Sequence, residues 1–167
     1  MTVNGEVSFW WAQLWQAQRG RDGLRPPLPG PTRADVCIVG AGYTGLWTAY
    51  YLKKAAPGLR VVVLEQRFAG FGASGRNGGW LTNSITGGRD RYVRSHGPDA
   101  AHRLQVALND TVDEVIRVAA AEGIDADVAR GGELTVATND AQLRRLRVAA
   151  EAEQRWGDTG VEILGAA

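Results

Sequence analysis

Cysteine is almost absent: Cys37 is the only one in the chain. A lone cysteine cannot make an internal disulfide, which suits a reducing cytoplasm. Histidine is nearly as scarce, at His96 and His102. Neither sits in a Cys or carboxylate cluster at metal-ligand spacing, so both read as surface residues and no metal site is expected. No Ser/His/Asp or Cys/His arrangement supports nucleophilic catalysis. No apolar run approaches the roughly 20 residues that span a bilayer, and the N-terminus lacks a basic-then-apolar signal pattern. Excess charge is missing too. Nineteen Lys and Arg against 18 Asp and Glu leave +1, too little to draw in nucleic acid or an anionic membrane. There are no internal repeats. The length suits one domain and not two full ones.

Glycine is plentiful, with 22 residues, and two glycine-rich stretches carry the information. The first lies within Asp35–Glu65, DVCIVGAGYTGLWTAYYLKKAAPGLRVVVLE. Val36 to Val39 form a short apolar run, as a strand buried on both faces would, which places Cys37 in a core. Gly40, Gly42 and Gly45 follow as G-x-G-x-x-G where the strand should turn into a helix. Gly40 permits the tight turn. Gly42 lets a pyrophosphate approach, and Gly45 lets helix and strand pack closely. With Ala41, Tyr43 and Thr44 they bring the helix N-terminus, and its unpaired N–H groups, to an anion. Pro57 and Gly58 stop the helix. Val61 to Leu64 form a second strand ending at Glu65, an acid placed to accept hydrogen bonds from an adenosine ribose, with Gln66 beside it. An ordinary crossover with packing glycines would not explain that acid. Either FAD or NAD would satisfy the pattern.

The second stretch is Gly70–Gly79, GFGASGRNGG. So many glycines suit a backbone that approaches something closely or takes positive φ. Ser74, Arg76 and Asn77 add donors for phosphates or a polar ring edge. Composition alone would read this as a flexible loop. Its place just after the acid favours a loop that clamps a cofactor.

Met1–Glu6 reads as loose. Ser8–Arg19 reads as a short helix with Ser8 near its cap, whose Trp10, Trp11 and Trp15 pack on the main domain or a partner; a membrane-surface helix is the rival, weakened by a glutamine-rich polar face. Arg25–Pro31 is a stiff connector. A short helix is expected over Arg89–Arg94, and a longer one from Gly97-Pro98-Asp99 through Leu104, Leu108, Val112, Val115 and Ala119 to Gly123. Gly132–Thr138 and Val161–Leu164 read as strands. Between them, Asn139 and Gln142 resemble a capping box that opens a helix through Leu143, Leu146 and Ala150. Arg144, Arg145 and Arg147 form its solvated face.

The two glycine stretches together, VCIVGAGYTGLWTAYYL…VVVLE and GFGASGRNGGW, resemble the FAD-dependent D-amino-acid and amine oxidase family, and look most like its gamma-glutamylputrescine oxidase subgroup. The Trp-rich arm and Pro-rich connector fit as well. The resemblance implies an α/β chain: a Rossmann-like FAD-binding βαβ unit with the start of an α+β substrate domain. Residues 1–34 would be the arm and connector, 35–123 the first part of the FAD-binding domain and 124–167 the beginning of the substrate domain. Gly40, Gly42 and Gly45 match the pyrophosphate turn, and Glu65 the ribose ligand. Ser74, Gly75, Arg76, Asn77, Gly78 and Gly79 match the loop along the flavin side. Nothing matches a covalent flavin attachment. In the family, the carbon bearing the amine gives a hydride to the flavin and the imine is hydrolysed. The partner implied is a small-molecule amine or amino acid. The family is much longer, so the chain reads as an N-terminal portion, a fragment or a truncated product. The alternatives are an NAD-binding dehydrogenase domain and a remnant without activity. No residue stands out as catalytic.

Overall fold

The computed structural model describes residues 8–17, 25–154, 156–157 and 160–165. The expectations for Met1–Glu6 and for the Arg19 end of the first helix lie outside them, as does the Trp15 side chain. The chain divides into two compact units, Met1–Trp80 and Leu81–Ala167. No helix of the described residues is long and apolar enough to cross a membrane.

The first unit is a mixed α/β structure built on a parallel βαβ unit. Helix α1 spans Phe9–Gln16, and the Ser8 hydroxyl accepts the Trp11 N–H at 3.3 Å, as a capping residue does. Strand β1 is Val36–Val39, helix α2 is Tyr43–Ala55 and strand β2 is Val61–Leu64. β1 and β2 pair in parallel, Val36 opposite Val61 through Val39 opposite Leu64. At the start of the ladder Asp35 and Arg60 bracket the register. The Arg60 N–H and guanidinium donate to the Asp35 carboxylate at 2.8 and 2.9 Å, and Arg60 holds that carboxyl down at about 2. α2 stops at Ala55, with Pro57 and Gly58 in the turn that follows.

One expectation about β1 fails. It is covered on one face, not two. Ile38 points to α2, but Cys37 is exposed and Val39 is 85% exposed. The ladder has two strands among the described residues, and alternation then sends every second side chain to the uncovered face. Cys37 is therefore a surface thiol and not a core residue.

In the second unit α3 spans Arg89–His96, α4 Pro98–Ala121 and α5 Asp140–Gln154. Gly97, at φ +82, ends α3 and begins α4, whose Pro98 and Asp99 suit a first turn. Gly123, at φ +63, follows the end of α4. His96 and His102 are exposed, and no metal-holding group of three or more ligands occurs among the described residues. The Asn139 signal holds in altered form. Its side-chain oxygen accepts the Gln142 N–H at 2.9 Å, but the Gln142 side chain returns to the Thr138 N–H at 2.7 Å, one residue further out. The sequence reading missed Arg89, which is buried. Its guanidinium donates to Gln105 Oε1 at 2.8 Å, pairs with Glu153 at 3.3 Å and lies 4.6 Å from the Trp156 ring centre, joining α3, α4 and the end of α5.

Two strand expectations are overturned. Residues 132–138 and 161–164 form no strand. Leu134 and Val136 are 73% and 67% exposed. Alternating apolar residues become a strand only when a ladder partner takes up the backbone N–H and C=O groups. Neither segment has one among the described residues.

Candidate functional site

The site grows from the turn between β1 and α2. Gly40 takes φ +101, which a side chain would resist, and its N–H donates to the Leu64 carbonyl at 2.7 Å. That bond ties the turn to the end of β2. At Gly45 a Cβ would overlap the Gly40 carbonyl oxygen and stand 3.3 Å from Ile38. The glycine therefore lets α2 lie directly on β1. Gly42, the residue before α2, has no side chain to cap the helix. The first-turn N–H groups of a helix have no intrahelical partners.

The cap comes from 31 residues away. Ser74 Oγ accepts the Tyr43 N–H at 3.0 Å. Ser74 belongs to a 3-10 turn, Ala73–Gly75, inside the second glycine stretch. Gly70 adds a second tie, its N–H donating to the Ala41 carbonyl at 2.9 Å. The stretch is thus a folded loop laid against the first turn, not a floppy one. Asn77 is its hub. The Asn77 amide donates to Tyr43 Oη at 3.0 Å and to the Ser74 carbonyl at 2.9 Å, and its oxygen accepts the Gly79 N–H at 2.8 Å. Arg76 Nε donates to the Phe71 carbonyl at 2.8 Å, with the guanidinium 4.7 Å over the Phe71 ring.

Glu65 reaches into the same turn. Its carboxylate accepts the Ala41 N–H at 2.9 Å and the Arg67 N–H at 3.0 Å. These bonds, Ala41 first, hold the Glu65 carboxyl below its ordinary value of 4.5. A lowered folded-state pKa means that the contribution is complete above 4.5 and fades as the pH falls through the depressed value. Amide exchange at Ala41 should therefore speed up as the pH drops below about 4.5, once the chemical pH dependence of exchange is removed. Glu65→Gln should flatten that profile. An unchanged profile in the variant would show that the carboxylate does not hold the turn. A carboxylate has about four acceptor positions, so Glu65 keeps capacity for further donors.

The structure brings Gly40, Ala41, Gly42, Tyr43, Gly45, Glu65, Ser74, Asn77 and Gly79 into one set of bonds and contacts. Gly75 joins through packing, because a Cβ there would overlap the Gly70 carbonyl oxygen. Thr44 lies in the first turn of α2, where its carbonyl accepts the Thr48 hydroxyl. Gln66 and Gly78 are exposed. The sequence reading missed Ser74 as the cap of α2. Its signal was the glycine at the capping position, which left the helix needing a cap from elsewhere.

An adenine dinucleotide fits this chemistry: a helix N-terminus without a side-chain cap of its own, a glycine beside it, and an acid with spare acceptor capacity. Comparison with known proteins agrees. Gamma-glutamylputrescine oxidoreductase of Escherichia coli (strain K12) is 43% identical over 79% of this chain and 30% of its own length. The probable oxidoreductase OrdL of Haemophilus influenzae is 35% identical over 87% of this chain and 33% of its own. The sarcosine oxidase subunit beta of Rhizobium meliloti is 45% identical over 40% of this chain and 14% of its own. The chain thus spans about a third or less of the length of these relatives. No solved structure matches. Residues 35–167 match the FAD-dependent oxidoreductase family known as DAO, and the chain belongs to that family.

Proposed function

We propose that this chain is the FAD-binding part of an oxidoreductase that oxidises the C–N bond of an amine or amino acid. The observation that carries it is the second glycine loop folded onto the first turn through Ser74 and Gly70. The names of the relatives, a gamma-glutamylputrescine oxidoreductase and a sarcosine oxidase subunit, support the substrate class.

In this reading Gly40 to Gly45 receive the pyrophosphate against the start of α2, where the N–H groups and the helix dipole favour an anion. Glu65 accepts the ribose hydroxyls with the capacity left by Ala41 and Arg67, and Gln66 lies at the rim. Ser74, Gly75, Arg76, Asn77, Gly78 and Gly79 run along the flavin half. Bound FAD supplies the two-electron acceptor for the C–N bond. The chain's own residues bind and orient it. Residues 35–123 would be the first part of the FAD-binding domain and 124–167 the beginning of a substrate domain.

Titration of the chain with FAD, ADP, NAD and FMN tests the assignment. FAD should bind, ADP should displace it, and FMN should compete poorly, since FMN lacks the adenosine and pyrophosphate assigned to Glu65 and to Gly40 to Gly45. Stronger displacement by NAD than by ADP would favour a nicotinamide-dependent dehydrogenase. Failure of both FAD and ADP to bind would sink the reading.

A further inference from the structure

Helix α1 lies outside the residues that match the family, yet it touches both ends of the second glycine loop. Trp10 Nε1 donates to the Asn77 carbonyl at 2.8 Å. Its ring fills the space where a side chain on Gly79 would begin, with Cζ2 only 2.8 Å from that position. Gly79 stands at φ +81. Trp11 works at the other end. It is 8% exposed, sets its ring edge-on to Phe68 with centres 4.7 Å apart, and brings Nε1 within 3.1 Å of where a Cβ on Gly75 would stand. Phe68 in turn meets Phe71 edge-on at 5.3 Å. Two loop glycines that suited cofactor approach thus make room for indole rings.

The consequence runs through Asn77. Trp10 holds its carbonyl, and its side-chain amide then reaches Tyr43 Oη and the Ser74 carbonyl. Ser74 caps α2 at Tyr43. An eight-residue helix is marginal alone, so α1 and the loop hold each other.

We propose that α1 is a strap that sets the loop in its cofactor-ready shape, with Trp10 and Trp11 as positioning residues; this rests on the FAD reading above. The test uses the full chain. Amide exchange at Gly79 and Tyr43 is measured without cofactor, and FAD affinity is measured separately. Trp10→Phe removes one indole donor and keeps a ring. It should speed exchange at both amides by about tenfold and weaken FAD binding by a similar factor, the size of one lost hydrogen bond. Trp11→Ala should do more, and Trp11→Phe should recover most of the loss. Leu14→Ala, on the same helix and exposed, should change neither quantity. Unchanged exchange in Trp10→Phe and Trp11→Ala would overturn the strap. Faster exchange with unchanged FAD affinity would overturn the positioning role. Absence of FAD binding in the unaltered chain would instead refute the functional reading, and exchange would still decide whether α1 holds the loop.

Discussion

Gly45→Ala is expected to destabilise the first unit by roughly 3 kcal/mol or more, at the upper end for overpacking. The added methyl would overlap the Gly40 carbonyl oxygen and press on Ile38. Both neighbours are fixed. The first is backbone at φ +101, and the second faces the helix from β1. The overlap is relieved only by lifting α2 off the sheet, which uncovers the one face of β1 that is packed. Thermal unfolding of the first unit should shift down by about 10 °C or more. A shift of a degree or two would mean that α2 slides without cost and that Gly45 is no packing requirement. Gly58→Ala is the control, since a Cβ there meets nothing within 4 Å.

Gly42→Val should abolish dinucleotide binding at a smaller cost in stability. A Cβ at Gly42 would stand 3.0 Å from Ser74 Oγ, and the valine branches reach further. Ser74 would be driven from the Tyr43 N–H, and the valine methyls would crowd the start of α2, where the pyrophosphate is proposed to sit. Direct titration with FAD and with ADP should show no saturable binding. Retained affinity for either would place the pyrophosphate elsewhere. Ser74→Ala separates the two effects: it loses the cap but adds no bulk beside Gly42, so it should bind weakly where the valine variant does not bind.

The βαβ unit was legible because its signals are local. An apolar run, three glycines and a second apolar run each act within a few residues of themselves. The acid at Glu65 was legible by its place after β2, but its bonds to Ala41 and Arg67 were not, since nothing nearby in sequence announces them. The same holds for Ser74, whose partner Tyr43 lies 31 residues back. Two strand readings failed for a related reason. GELTVAT has the alternation of a strand, and alternation describes only which way side chains would face if a partner came alongside. Cys37 was misjudged because an apolar strand sequence does not say how many faces are covered.

The Asp35–Arg60 pair sits about 16 Å from Gly40 along β1, at five residues of extended chain. It works as a vernier. Because side chains alternate, a slip of one residue between β1 and β2 would turn the faces of β2 over relative to β1 and bring Gln66 or Leu64 level with the turn in place of Glu65. Arg60 clasps Asp35 from both its backbone and its side chain, so a slipped pairing would break several bonds at once. A charge pair at one end of the ladder thus favours the same pairing that brings Glu65 to Ala41 at the other.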